Sequence, residues 1–220
     1  MNVILERFMT LVPFLGKVLG SDYEVVLHDL SEGGNAIVAI ANGHISGRAV
    51  GAPLTDMGLR VTAEKGYRDA DYEVNYRGVS KDRRSLRSST YYIKDGDGSL
   101  LGMLCLNFDP DRCLNAAGAI LAMGNMGGLP DLLDKPEPLD AGEGVETFAG
   151  SVADAVDSAM AQVLGGKSIE GKRLSMEEKV RIVEALQKHG LFRLKGAVSE
   201  VAERLDSSEA SVYRYLNKLK

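Results

Sequence analysis

Two cysteines and three histidines among 220 residues leave little room for several kinds of chemistry. Cys105 sits inside an apolar strand pattern and Cys113 just past it, which excludes a disulfide framework and fits a reducing compartment. His28, His44 and His189 have no Cys or carboxylate at zinc-ligand spacing, so metal binding is not expected. No stretch approaches the roughly 18 apolar residues of a membrane span. The opening MNVILERFMTLVPFLGKVLG carries Glu6 and lacks a cleavage-site pattern, so it does not read as a signal peptide, and a cytoplasmic protein without a membrane partner is expected.

Several motif fragments also fail. Between Gly43 and Gly47, Ser46 falls one place too late for a nucleophile elbow. Asp95, Asp97 and Ser99 begin like a calcium loop, but Leu100 replaces the required glycine and Leu106 the bidentate carboxylate. Gly96, Gly98 and Gly102 miss the dinucleotide spacing and lie between strands. No nucleophile–base set is present, and neither a helix-borne reactive cysteine nor a placed histidine ligand supports a flavin or haem. The chain therefore reads as a non-enzyme without a cofactor.

What is present is concentrated at the end of the chain. Ser175-Met-Glu-Glu178 is a capping box opening a helix through Val180, Val183 and Leu186, closed by His189-Gly190. A second helix fits Gly196 to Leu205, with Val198, Val201, Ala202 and Leu205 on one face. Asp206-Ser207-Ser208 breaks it and caps a third helix to Lys220, whose Val212, Leu216 and Leu219 face the core. The opposite face offers Ser208, Ser211, Arg214 and Lys218, short hydroxyls and cations suited to a DNA major groove; Ser207 and Tyr213 complete the candidate DNA-binding set. Three helices of this kind could instead form a structural cap with a solvated charged face. Residues 171–220 carry about +4 while the whole chain carries −5, so the body is acidic and the tail is the basic pole.

With 45% hydrophobic and 26% charged residues, the chain can bury one full core and still carry a small second domain. Val3 to Leu19 reads as an amphipathic helix with Ile4, Phe8, Leu11, Leu15, Val18 and Leu19 near one stripe, kinked at Pro13. Strands follow at Tyr23–Asp29 and Asn35–Ala41, joined by a Gly-containing loop over 31–34. Residues 45–87 are mixed and polar, with helix expected near Thr55–Ala63. A second hairpin, Leu86–Lys94 and Ser99–Phe108, is joined by Asp95-Gly-Asp-Gly98, which favours a type I′ turn. Helix, two strands, a helical insertion and two or three antiparallel strands is the order of a PAS-type sensor domain, and the size fits.

The run Val201-Ala-Glu-Arg-Leu205 with Ser208 to Leu216 resembles the helix-turn-helix of many bacterial regulators, departing from it at Asp206, where glycine is commoner, and at Ser207, where an apolar residue usually packs. His28-Asp-Leu, Asn42 to Arg48, Arg87 to Ile93 and Gly102 to Asp109, followed by such a module, are similar to the YheO-like PAS-containing transcriptional regulators, some of which are tied to D-arginine utilisation. The resemblance spans nearly the whole chain. It implies an α+β fold, with a PAS-like antiparallel sheet domain flanked by helices and a C-terminal three-helix helix-turn-helix domain, and a regulator of double-stranded DNA whose sensor half takes a small molecule.

The expected organisation is a sensor over residues 1–124, a linker over 125–145, a helix over 146–165 and the DNA module over 172–220. Phe148, Val152, Val156, Met160 and Val163 form a stripe that either dimerises or signals, or docks on the sensor. Gly165, Gly166 and Gly171 would form a joint. Polar residues inside apolar strands, His28, Asp29, Ser89, Tyr91 and Asn107, are candidates to line a cavity for an amino-acid-like effector, or else to satisfy one another. A homodimer reading two half-sites is expected. The rival reading is a protein-interaction module with a structural tail.

Overall fold

A computed structural model describes residues 2–31, 36–126, 145–166 and 174–218. In chain order the elements are α1 (Val3–Leu19), β1 (Tyr23–Asp29), β2 (Ala36–Ala41), α2 (Asp56–Glu64), β3 (Tyr72–Val79), β4 (Ser85–Lys94), β5 (Leu100–Phe108), α3 (Asp111–Met123), β6 (Glu146–Thr147), α4 (Val152–Val163), α5 (Met176–Lys188), α6 (Ala197–Arg204) and α7 (Glu209–Asn217). The six strands form one sheet in the order β2-β1-β5-β4-β3-β6, antiparallel except where β6 runs parallel to β3. The fold is α+β, as expected. Most of the linker, the 31–34 loop, Gly171 and Leu219 fall wholly or largely outside the described residues.

Strand periodicity gives the sheet two different faces. Val25 and Leu27 of β1 face α1, where they pack with Leu5, Val12, Ile93 and Leu101. Close approach is set by glycine: a Cβ on Gly16 would stand 2.5 Å from the Ala41 Cβ, and one on Gly102 2.6 Å from Leu5. The helix runs unbroken through Pro13. Its fully buried line is Leu5, Val12 and Gly16; of the stripe expected from sequence, Phe8, Leu15 and Leu19 pack against this line, while Ile4, Leu11 and Val18 stay exposed, because the glycine lets α1 lie closest to the sheet along that line.

The other face carries Glu24, Val26 and His28 of β1 with their neighbours on β5 and β4, and is roofed by α2 and the 42–55 segment, with β6 closing the sheet edge beside β3. β3 was not legible in the polar 45–87 stretch. Its outer residues are exposed, and a bulge between Glu73 and Tyr76, with Asn75 left-handed at φ 59, breaks the alternation that would have marked it. The β4–β5 connection is not type I′: only Gly98 has positive φ, Gly98 N–H donates to the Asp95 carbonyl, and the Asp95 carboxylate accepts from the Asp97 and Ser99 amides. A type I turn closed by a left-handed glycine satisfies both ends.

The C-terminal helices form as their caps dictate. Ser175 and Glu178 make both bonds of the capping box, Gly190 and Gly196 take the left-handed conformation, and the Ser208 hydroxyl accepts from the Ser211 amide. α4 joins this bundle, with Ala155, Val156, Ala159 and Met160 packed toward α5 and α6, and Arg204 bonded to Asp157 at 2.8 Å. Phe148 lies before α4 and packs elsewhere, over Gly78 and Arg48. On α7 the buried residues are Val212 and Tyr215, with Leu216 only partly covered. Among the described residues no helix is long and apolar enough to cross a membrane.

A candidate ligand chamber and nucleic-acid interface

Cross-strand pairing lines up polar residues on the roofed face of the sheet. Glu24, Asn107, Ser88 and Tyr76 stand opposite one another across β1, β5, β4 and β3, and the next rows place Thr90 beside Cys105 and His28 beside Met103. Above them the 42–55 segment inserts Ser46 and Arg48, and β6 inserts Glu146; all three are buried.

The Glu24 carboxylate is held ionically and by hydrogen bonds. It accepts from the Asn107 amide at 2.8 Å, from the Ser46 backbone and hydroxyl, and from Arg48 at 3.5 Å. Arg48 also donates Nε to the Ser46 hydroxyl and lies 4.8 Å over the Phe148 ring. Glu146 is less well compensated, its Oε2 having no hydrogen-bond partner. Burial pushes its carboxyl up to about 7, with the Thr55 hydroxyl and Arg48 pulling the other way. Burial, reinforced by Arg48, holds the His28 imidazole neutral, and burial pushes the Cys105 thiol up to about 12, leaving it an inert core thiol.

Five buried polar atoms here lack a hydrogen-bond partner: His28 Nε2, Arg48 Nη1, Ser88 Oγ, Asn107 Oδ1 and Glu146 Oε2. Such atoms are costly in a folded interior. The cavity beside His28 and Glu146, walled by Thr55, Met57, Gly58 and Val61 and by Tyr76, Thr90 and Tyr92 of the sheet, amounts to about 10 Å³, space for a single water, with Arg48 and Asn107 outside its lining. Anything larger requires the roof to lift.

Of the sequence candidates, His28 lines this cavity, and Asn107 stands on the same sheet face in the adjoining polar row, bonded to Glu24. Asp29, Ser89 and Tyr91 do neither. Asp29 ends its strand and caps a turn, accepting from the Ser31 amide and hydroxyl. Ser89 and Tyr91 point to the opposite face, where Ser89 accepts from the Asn75 amide and Tyr91 stacks on Phe8. Their neighbours Ser88, Thr90 and Tyr92 hold the chamber positions, one register step away. Glu24, Ser46, Arg48, Tyr76 and Glu146 were also missed. Glu24 was findable, lying four residues before His28 on the same strand face; Glu146 was not, since only tertiary pairing to β3 brings it here.

The chamber wall is tied to the helical bundle. Asp56, the first residue of α2, accepts from the Thr147 amide and hydroxyl at 2.8 Å each and from Gln162 of α4 at 3.0 Å. α2 also meets the bundle at Gly190, where a Cβ would stand 2.9 Å from the Leu59 carbonyl oxygen.

On α7 and its C-cap the exposed residues are Glu209, Ala210, Tyr213, Arg214, Asn217 and Lys218. Ser211 sits at the edge of this exposed face with its hydroxyl bonded to Arg214 at 3.0 Å and to Ser208 at 3.0 Å. Ser207 is in the turn. Lys179 of α5 donates to both the Ser207 hydroxyl and the Asp206 carbonyl at 3.0 Å, and this replaces the apolar anchor usual at that place, while Asp206 adopts φ 45. Ala210 and Asn217 were not among the sequence candidates, though helical spacing from Tyr213 and Arg214 would have included them.

The YheO-like PAS domain matches residues 1–125, and an HTH domain matches residues 155–217. The chain belongs to the YheO-like PAS family. Similar proteins include YheO of Escherichia coli, 28% identical over 99% of this chain and 85% of that protein, and an uncharacterised Haemophilus influenzae protein, 26% identical over 100% and 92%. The transcriptional regulator DauR of Pseudomonas aeruginosa is 28% identical over 98% of this chain and 94% of its own length. The likeness thus runs through both the YheO-like PAS domain and the helix-turn-helix.

Proposed function

We propose that this chain is a cytoplasmic DNA-binding transcriptional regulator that acts as a homodimer, with its PAS chamber taking a small zwitterionic molecule of the amino-acid type and thereby changing operator affinity. The DNA-binding part is supported by the HTH match, the exposed Tyr213–Arg214–Asn217–Lys218 face of α7 and the regulator relative. The ligand class follows from the unpartnered atoms. Arg48 Nη1 offers a cationic donor for a carboxylate, whereas Glu146 Oε2 and Asn107 Oδ1 offer acceptors for an ammonium group.

One observation carries the coupling. Glu146 points into the chamber and the next residue, Thr147, is clasped by Asp56, which also holds α4 of the bundle. A ligand that draws Glu146 or lifts α2 therefore pulls on the helix against which α5 and α6 pack. α4 is the signalling helix in this account. A tenfold change in affinity requires about 1.4 kcal/mol of coupling, within the usual allosteric range.

On DNA, Arg214 and Lys218 meet phosphate or guanine edges, Tyr213, Ser211 and Asn217 approach base edges, and Ser207 and Ser208 lie by the backbone at the N-terminus of α7. Selection from random duplexes with the full chain, at about 150 mM salt to suppress non-specific contacts, tests this. Enrichment of a two-fold symmetric sequence is expected, and Arg214→Ala should weaken binding to it by about 1–3 kcal/mol with the fold intact. No enriched sequence, with or without amino acids present, would refute the reading.

A further inference from the structure

Among the described residues, two helices of the sensor domain keep apolar faces uncovered, apart from a smaller patch of Tyr72, Val74 and Tyr91 on β3 and β4. α3 buries none of its thirteen residues, carries no charge after Arg112, and exposes Leu114, Ile120 and Met123 by 54, 66 and 89%. A helix that short is marginal in water on its own, and one apolar on every side is ordinarily enclosed. The second surface is the outer stripe of α1. Ile4, Leu11 and Val18 repeat every seven residues with Phe14 beside them, and Phe14 and Val18 are 57 and 65% exposed.

The two surfaces adjoin. Arg112 in the first turn of α3 reaches both oxygens of Asp22, in the turn that follows α1, at 3.1–3.2 Å. They also match in length: α3 spans about 20 Å and the stripe from Ile4 to Val18 about 21 Å, at the helical rise per residue. Only Arg7 interrupts the stripe with charge. The apolar face of α4 is already covered by α5 and α6.

We infer that α3 of one copy packs along the α1 stripe of a second copy, and reciprocally, so that two uncovered helices and two uncovered faces are enclosed in one two-fold exchange. A second copy fits better than an unrelated partner, because each chain carries both an apolar arm and a stripe of the same length to receive it. This deepens the dimer part of the functional reading and names its surface.

Sedimentation of the full chain at micromolar concentration, without DNA, tests it. The wild type should run as a dimer; Phe14→Glu, and separately Leu114→Glu with Ile120→Glu, should run as monomers with unchanged circular dichroism. Two chains lacking Cys113 (Cys113→Ser), one with Phe14→Cys and the other with Ile120→Cys, should cross-link to each other when mixed and oxidised. A monomeric wild type, variants that stay dimeric, or a disulfide formed within a single doubly substituted chain would overturn the inference. Because size is read without DNA, these failures leave the helix-turn-helix reading untouched, while failure to select an operator leaves the dimer surface untouched.

Discussion

Replacing Glu146 by Gln should change how stability depends on pH more than it changes the structure. In the folded chain this carboxyl is buried and holds its proton up to about 7, against an ordinary value of 4.5. The folded state therefore binds more protons than the unfolded state between those values, and stability falls as pH rises through that window. Two and a half pH units amount to about 3 kcal/mol, an upper figure for a buried group whose surroundings relax. His28 acts in the opposite sense. Its imidazole is held neutral, so the unfolded chain takes up the proton first and stability is lost as pH falls below 6.5. The difference between wild type and Glu146→Gln removes that contribution, since His28 is common to both. Urea unfolding followed by far-ultraviolet circular dichroism is the suitable assay, as the chain has no tryptophan. The variant should match the wild type near pH 4.5 and exceed its stability by up to about 3 kcal/mol near pH 8. Wild-type and variant stabilities that run parallel across this range would refute the assignment of Glu146 as a buried, uncompensated carboxyl. A ligand ammonium beside Glu146 would favour ionisation, so binding near pH 6 should release protons, measurable as a buffer-dependent heat.

Two further outcomes follow from local geometry. A Cβ at Gly78 would stand 2.7 Å from the Phe148 ring and 2.9 Å from the Ser88 hydroxyl, so Gly78→Ala should destabilise the fold by about 1–3 kcal/mol in chemical denaturation. Asp56→Ala removes the acceptor shared by Thr147 and Gln162; operator binding without ligand should persist while the response to ligand shrinks, read by fluorescence anisotropy of a labelled duplex.

The helix-turn-helix was the most legible part of the chain because its caps are local. Ser175, Glu178, Gly190, Gly196 and Ser208 act through neighbours within a few residues, and each forms as its sequence dictates. The hairpins were legible for the same reason, down to strand ends but not turn type. The chamber was legible only in part. His28 and Asn107 stood out as polar residues in apolar strands, but the run Arg87-Ser-Ser-Thr-Tyr-Tyr gives no local sign of which alternate set faces inward, and Ser89 and Tyr91 lie on the face opposite Ser88, Thr90 and Tyr92. Arg48, Ser46 and Glu146 reach the chamber through long-range contacts that no local period records. The α1 stripe was legible by half, Phe8, Leu15 and Leu19 packing inward and Ile4, Leu11 and Val18 not: the helix is apolar over more than half its circumference, so periodicity alone could not say which part the sheet covers.

The central claim is that occupancy of the chamber sets the affinity of α7 for DNA. Its most direct test is anisotropy titration of the selected duplex, with and without saturating zwitterionic amino acids, on the wild type and on Glu146→Gln. An amino acid that shifts wild-type affinity about tenfold, with the shift reduced or lost in the variant, is the predicted result. Affinity that no amino acid moves, or a shift as large in Glu146→Gln as in the wild type, would contradict it.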